Sequence, residues 1–230
     1  PISSWRDAQP DTDPAVPSAR DDIAIQMYTS GTTGHPKGVQ LANRAFLDLR
    51  LEAPAGDMEW NEWTGDDVSL VAMPSFHIGG AGWGIQGVTA GAENIVVSEF
   101  DPGGVLSIIE SHGVTKLFMV PAAMRLCLHH PKCRETDFSS VKYILYGASP
   151  IPLDLLREAI EVFRCGFVQL YGMTETTGTA TYLPPKDHDP SGQSEKMKSA
   201  GKPMPGVTVK VVDGAGTPLP PRQVGDRKST

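Results

Sequence analysis

A chain of 230 residues with 40% hydrophobic and 20% charged residues has the make-up of an ordinary globular protein, with room for one large domain or two small ones. Its net charge of −7 argues against a broad nucleic-acid footprint, and it means that any polyanion site must supply its own local donors. Three cysteines, Cys127, Cys133 and Cys165, are too few and odd in number for a disulfide framework, so a reducing cytoplasm is the expected location; no apolar run approaches the ~20 residues of a membrane span.

The start, Pro1-Ile2-Ser3-Ser4-Trp5, has no Met and no basic-then-apolar leader, and it reads as a cut inside a longer protein. Residues 1–21 are rich in Pro, Asp and Ser and are expected to be a surface segment or linker. A strand is predicted over Ile23–Tyr28, then a Gly/Thr loop, then a short return strand over Gly38–Leu41. Asn43 stands where a helix cap would, ahead of Ala45, Phe46, Leu47, Leu49 and Leu51. Residues 54–67 read as a polar loop.

Val68–Met73 is an almost unbroken apolar run, suited to a strand buried on both faces, and Pro74 stops it. A glycine-rich helical stretch runs to about Ala90, and Asn94–Val97 reads as a strand. Asp101-Pro102 is expected to open a helix that Gly113 ends. Further strands are predicted at Lys116–Val120, Val141–Tyr146 and Gly166–Tyr171, with helices opened by Pro121 and Pro152. The second of these carries Leu153, Leu156, Ile160 and Phe163 at helical spacing. Alternating strands and helices argue an α/β layered domain with a largely parallel sheet over 22–183. Residues 184–200 are polar and are expected to be mobile. Val207, Val209 and Val211 alternate with polar residues, predicting a half-buried strand over 206–212 and the start of a small β subdomain within 184–230.

Ligands of such sheets sit beyond the carboxyl ends of the strands, where three unusual loops fall. In Tyr28–Gly38, YTSGTTGHPKG, the hydroxyls of Thr29, Ser30, Thr32 and Thr33 crowd around Gly31 and Gly34, with Lys37 following. Backbone N–H groups freed by glycine, hydroxyl donors and a compact cation suit a polyanion such as a nucleoside triphosphate. It is not a Walker loop, because Pro36 precedes Lys37 and Gly38 follows it. The other two loops are Gly147-Ala148-Ser149-Pro150 and Tyr171–Gly178, YGMTETTG.

TSGTTGHPKG closely resembles the phosphate-binding signature of the adenylate-forming enzymes: acyl-CoA synthetases, aryl-CoA ligases, luciferases and peptide-synthetase adenylation domains. YGMTETTG resembles their second signature. The resemblance implies that Thr29, Ser30, Thr32, Thr33 and Lys37 hold the β,γ-phosphates of ATP, with Gly31 and Gly34 shaping the loop. It implies that Glu175 binds Mg2+, Thr174 donates to the α-phosphate, and Tyr171, with Gly172 and Met173, faces the adenine. Gly147, Ala148 and Ser149 would meet the base edge. Phe76-His77-Ile78-Gly79-Gly80 resembles a segment lining the carboxylate site, with His77 as gate and the glycines leaving room for an acyl chain or a close backbone.

The implied chemistry has two steps. A small-molecule carboxylic acid attacks the α-phosphorus of ATP to give an acyl-adenylate, and coenzyme A then displaces AMP. The acid is expected to be fatty, with an aryl acid as the competing reading; a homodimer is left open. The resemblance covers about Asp22 to Asp226, and a small C-terminal domain with a catalytic lysine is expected to lie outside the chain. The fragment itself is therefore expected to be inactive. A non-catalytic nucleotide-binding module is the alternative from another class.

Three patterns point elsewhere. Gly82-Trp83-Gly84-Ile85-Gln86-Gly87 matches GxGxxG but lies too far from the preceding strand for a dinucleotide site. Cys127, His129, His130 and Cys133 lack the paired spacing of a zinc site. Ser149 lies in GASPI rather than GxSxG, which disfavours a hydrolase nucleophile.

Overall fold

The computed structural model describes residues 2–30, 34–51, 58–189, 191 and 194–225. A short helix α1 (Ile2–Asp7) stands in an otherwise exposed N-terminal segment. Strands β1 (Ile23–Thr29) and β2 (Lys37–Ala42) form an antiparallel hairpin, and α2 (Asn43–Leu51) follows. Asn43, expected as a cap, is instead the first helical residue. Its amide donates to Ser18 Oγ at 2.8 Å and to the Ala19 carbonyl at 2.9 Å, holding the incoming chain against the helix.

The remaining elements alternate: β3 (Val68–Val71), α3 (Ile78–Ala90), β4 (Glu93–Val96), α4 (Pro102–His112), β5 (Lys116–Met119), α5 (Pro121–His129), β6 (Tyr143–Gly147), α6 (Leu153–Phe163), β7 (Gly166–Met173), β8 (Gly178–Leu183) and β9 (Lys202–Pro203). The sheet order is β4-β3-β5-β6-β7-β8-β9. The first five strands are parallel and the last two antiparallel. The local signals act as expected at α4. Asp101 accepts from the Gly104 N–H at 2.6 Å, Pro102 opens the helix, and Gly113 ends it at φ 61°.

Alternation along each buried strand splits the core into two layers. Leu70, Leu117, Met119, Ile144, Tyr146 and Phe167 face α4, α5 and α6. Val71, Phe118, Leu145 and Val168 face the other way, against Trp83 of α3, Tyr182 of β8 and the Met58–Trp60 segment. The hairpin β1–β2 rests separately on α3, with Met27, Leu41, Ile25 and Val39 grouped with Ile78, Ala81 and Ile85.

Three expectations need correction. On α6 the buried stripe is Leu155, Leu156, Ala159 and Phe163, while Leu153 is partly exposed in the first turn. Strand β7 runs two residues beyond Tyr171, so Tyr171, Gly172 and Met173 belong to a hairpin with β8 rather than to a loop. Residues 206–212 form no ladder strand. Leu219 N–H bonds Val211 O at 2.8 Å and one bridge joins Val212 to Pro218, but Pro218, Pro220 and Pro221 lack the donors that would extend the pairing. The described residues of the stretch 184–200 make several side-chain contacts. Lys196 pairs with Asp187 at 2.6 Å, Arg157 of α6 bonds Ser191 O at 2.5 Å, and Met197 packs on the core.

Candidate functional site

The candidate site is built where the turn after β7 meets the end of the β1–β2 hairpin, on the edge of the sheet where β3 and β6 also end. Thr29 and Lys37 are the last paired residues of that hairpin, so the ladder fixes where the phosphate-type loop starts and stops. Ser30 and Lys37 are exposed, and Gly34 adopts φ 85°, a left-handed conformation natural to glycine. Gly31, Thr32 and Thr33 lie outside the described residues.

The second loop is a tight turn. Thr174–Thr176 form one 3-10 turn, and Thr177 at φ 56° and Gly178 at φ 102° reverse the chain into β8. Thr176 staples it, since its hydroxyl oxygen accepts from the Met173 N–H at 3.0 Å and lies 3.0 Å from the Gly178 carbonyl. Gly172 is required, because a Cβ there would collide with the Gly178 carbonyl. The turn holds Thr174 half-buried and presents Glu175 to solvent. Thr29 Oγ1 donates to Glu175 Oε1 at 3.4 Å, joining two loops 146 residues apart.

Gly147, Ala148 and Ser149 leave the adjacent strand. Gly147 pairs with Leu170, one residue before Tyr171, so the third loop lies beside the second. Ala148 and Ser149 are exposed, and Ala148 takes φ 65°. The chain after β6 passes to the α6 face, while Tyr182 of β8 packs in the opposite layer.

A topological switch point lies at β3. Strands β4 and β5 flank β3 on opposite sides, and ligand clefts form at such a switch point. Here the chain leaves β3 through Phe76 and His77, both exposed, with ring centroids 4.7 Å apart. His77 caps α3 by position, without a side-chain hydrogen bond. Gly79 and Gly80 serve close approach. A Cβ on Gly79 would lie 3.0 Å from Phe118 Cε1, and one on Gly80 would strike the Met73 and Pro74 carbonyls. Ile78 belongs to the hairpin's apolar cluster and lies 3.6 Å from where a Cβ on Gly178 would sit.

A family model for AMP-binding enzyme matches residues 2–226. The chain belongs to the AMP-binding enzyme family. Among its relatives in this family, a fatty acid–[acyl-carrier-protein] ligase, ScoC, of Streptomyces coeruleorubidus is 40% identical over 226 residues, covering 98% of this chain and 43% of the relative. A feruloyl-CoA synthase of Amycolatopsis sp is 34% identical over 229 residues, covering 96% of this chain and 43% of the relative. The chain thus spans less than half the length of these relatives. Among solved structures, the O-succinylbenzoate coenzyme A synthetase of Bacillus subtilis in complex with ATP and magnesium ion superposes with a TM-score of 0.72 at 32% identity, covering 90% of this chain and 41% of that one.

For an AMP-binding protein, the donor set suits magnesium. Glu175 is an exposed carboxylate with the Thr29 hydroxyl beside it, the hard oxygen donors such an ion takes. The decoy motifs resolve into packing. Gly82–Gly87 lies inside α3, where the Asn94 amide donates to Gly84 O at 2.9 Å. Cys127 and Cys133 are buried in the core, and burial pushes the Cys127 thiol up to about 12. No group of three His, Cys, Asp or Glu side chains placed to hold a metal occurs among the described residues.

Sequence reading missed Thr176, Tyr146 and His188. Thr176 was visible only as one more threonine of the signature. The Tyr146 hydroxyl lies 3.1 Å from His188 Nε2, and His188 Nδ1 lies 2.9 Å from the Pro184 carbonyl. That contact spans 42 residues and has no local signature.

Proposed function

We propose that this chain carries the ATP site of an acid–thiol ligase that activates a carboxylic acid as its adenylate and passes the acyl group to a thiol. The Thr29–Glu175 contact carries the reading, because it sets the start of the triphosphate-type loop beside the carboxylate read as the metal ligand. Lys37 and the hydroxyls of Thr29, Ser30, Thr32 and Thr33 would hold the β,γ-phosphates. Thr174 would donate to the α-phosphate. Gly147, Ala148 and Ser149 would present backbone groups to the base edge while Tyr171, Gly172 and Met173 pack on its face. Magnesium held at Glu175 would offset the charge that builds on departing pyrophosphate.

His77, at the switch point, is read as the residue beside the incoming carboxylate. The acid is read as fatty before aryl, supported by the 40% identity to a fatty-acid ligase. The accepting thiol is read as that of coenzyme A, or of the same phosphopantetheine arm on a carrier protein, the acceptor named for that relative. Full turnover is assigned to a protein of the relatives' length, and this chain alone is expected to bind nucleotide without turning it over.

Thermal unfolding with and without ATP·Mg tests the reading. Wild type should melt at higher temperature with ATP·Mg, and Glu175→Gln should lose the part of that shift that needs magnesium. An equal magnesium-dependent shift in Glu175→Gln and wild type would overturn the assignment. A panel of fatty and aryl acids on the longer protein, read as thioester, decides the acid.

A further inference from the structure

Ala148 holds a left-handed backbone conformation that a side chain disfavours, and such a conformation persists only where its surroundings over-determine it. On one side the determinant is plain, because a Cβ on Gly147 would collide with the Leu170 carbonyl, so β6 and β7 are in tight contact there. On the other side stands Tyr146, the residue before Gly147 and almost wholly buried at 1% exposure. Its hydroxyl meets His188 Nε2 at 3.1 Å, with the two rings edge-on, centroids 5.7 Å apart.

The imidazole's other contact settles its tautomer. The Pro184 carbonyl, 2.9 Å from Nδ1, can only accept, so Nδ1 carries the proton. Neutral Nε2 then accepts from the Tyr146 hydroxyl. Around His188 the described residues of the strap 184–198 are held at several points. Asp189 accepts from the Ser191 and Ser194 N–H groups at 2.9 Å each, and the Asp189 N–H donates to Met197 Sδ at 3.2 Å. Arg157 ties the strap to α6, the helix that the loop after β6 leads into. The strap leaves from β8, the partner of β7, joined to it by the turn that carries Glu175, and reaches back to the base of the loop at 147–149.

We infer that His188 is a positioning residue for nucleotide-base recognition: by accepting the Tyr146 hydrogen bond it fixes the loop Gly147–Ser149 against the β7–β8 hairpin. The inference rests on the reading of that loop as the base-edge site. His188 itself touches no ligand and acts through Tyr146.

The test compares AMP with magnesium pyrophosphate, measured by calorimetry on this chain. The proteins are wild type, Tyr146→Phe, His188→Phe, the double variant, and His188→Gln, whose amide oxygen can take the Tyr146 proton. Each single loss should weaken AMP by about three- to tenfold, the worth of one hydrogen bond, and leave pyrophosphate unchanged. The double variant should be no weaker than either single one, and His188→Gln should recover most of the affinity. Equal weakening of both ligands, or losses that add in the double variant, would show a merely structural role and overturn the inference.

Hydrogen exchange at the Gly147, Ala148 and Ser149 amides, without nucleotide, separates this idea from the reading beneath it. Exchange there should quicken in Tyr146→Phe while β5 amides stay unchanged. Unchanged exchange at 147–149 overturns the inference even if wild type binds AMP. Quickened exchange in Tyr146→Phe, alongside a wild type that binds no AMP, counts against the base-site reading and leaves the positioning intact.

Discussion

Asp67 and Lys116 pair at 3.1 Å with both side chains 2% exposed, at the opposite end of the sheet from the candidate site. Lys116 Nζ also bonds the Glu62 carbonyl and lies 4.6 Å over the Trp63 ring. Thr115 and Lys142 donate to the other Asp67 oxygen at 2.9 and 3.0 Å. A buried ion pair so fully hydrogen-bonded is costly to break from one side. Lys116→Ala is expected to destabilise the chain by about 3–5 kcal/mol. Denaturant melts should show that loss, while the ATP·Mg shift of the folded variant stays as in wild type.

The same cluster predicts acid sensitivity. Burial pushes the Asp67 carboxyl up, yet hydrogen bonds from Lys142, the Thr64 N–H, Thr115 and Lys116 together outweigh it and hold its pKa at about 2, below the ordinary 3.8. The folded group thus gives up its charge at lower pH than the unfolded one. Its contribution is complete above about 3.8 and is lost as pH falls toward about 2. About 1–2 kcal/mol should disappear over that window, allowing for solvent screening near half-exposed Lys142. Melts from pH 5 to 2 should show this decline and Asp67→Asn should flatten it.

His188 predicts a second, milder pH effect. Burial lowers its pKa, against bonding to the Pro184 carbonyl and the charge of Asp187, which raise it. The unfolded chain takes a proton near 6.5 where the folded one resists it. Stability should therefore fall as pH drops through that ordinary histidine range, then level once folded His188 protonates. Unfolding of His188→Gln should lack this component, and an identical pH profile in the two proteins would contradict the neutral, buried imidazole.

Gly172→Ala should damage the turn that presents Glu175. The added methyl meets the Gly178 carbonyl across the β7–β8 pair, and strand separation costs about 1–3 kcal/mol or more. Thr176→Val is the gentler counterpart. It removes the staple to Met173 N–H and should cost about 1 kcal/mol. In both variants the magnesium-dependent part of the ATP shift should shrink more than the stability does, because Glu175 loses its fixed pose. A preserved shift would mean that the turn does not set the metal ligand.

Much of the architecture could be read from the chain because its signals are local. Asp101-Pro102 with Gly113 delimits α4, and unbroken apolar runs mark β3, β5 and β6. The antiparallel ending of the sheet was not legible. TATYL in β8 resembles the tail of a polar loop, and only pairing with β7 makes it a strand. The strand expected over 206–212 failed because the pattern says nothing of its partner, here a proline-rich run. At the site, residue types flagged Thr29 and Glu175 separately, but their contact comes from tertiary folding. Tyr146 and His188 escaped because a tyrosine ending a strand and a histidine in a polar stretch carry no period.

The β1–β2 hairpin shares no backbone ladder with the seven-stranded sheet among the described residues; it leans on α3 through apolar side chains. Two slabs in greasy contact slip past each other more readily than two sewn by strands. A triphosphate reaching from one slab to the other would act as a tether. Heating the unloaded chain should then give a broad melt in which the hairpin lets go first, and nucleotide should merge the two events into a single sharp one.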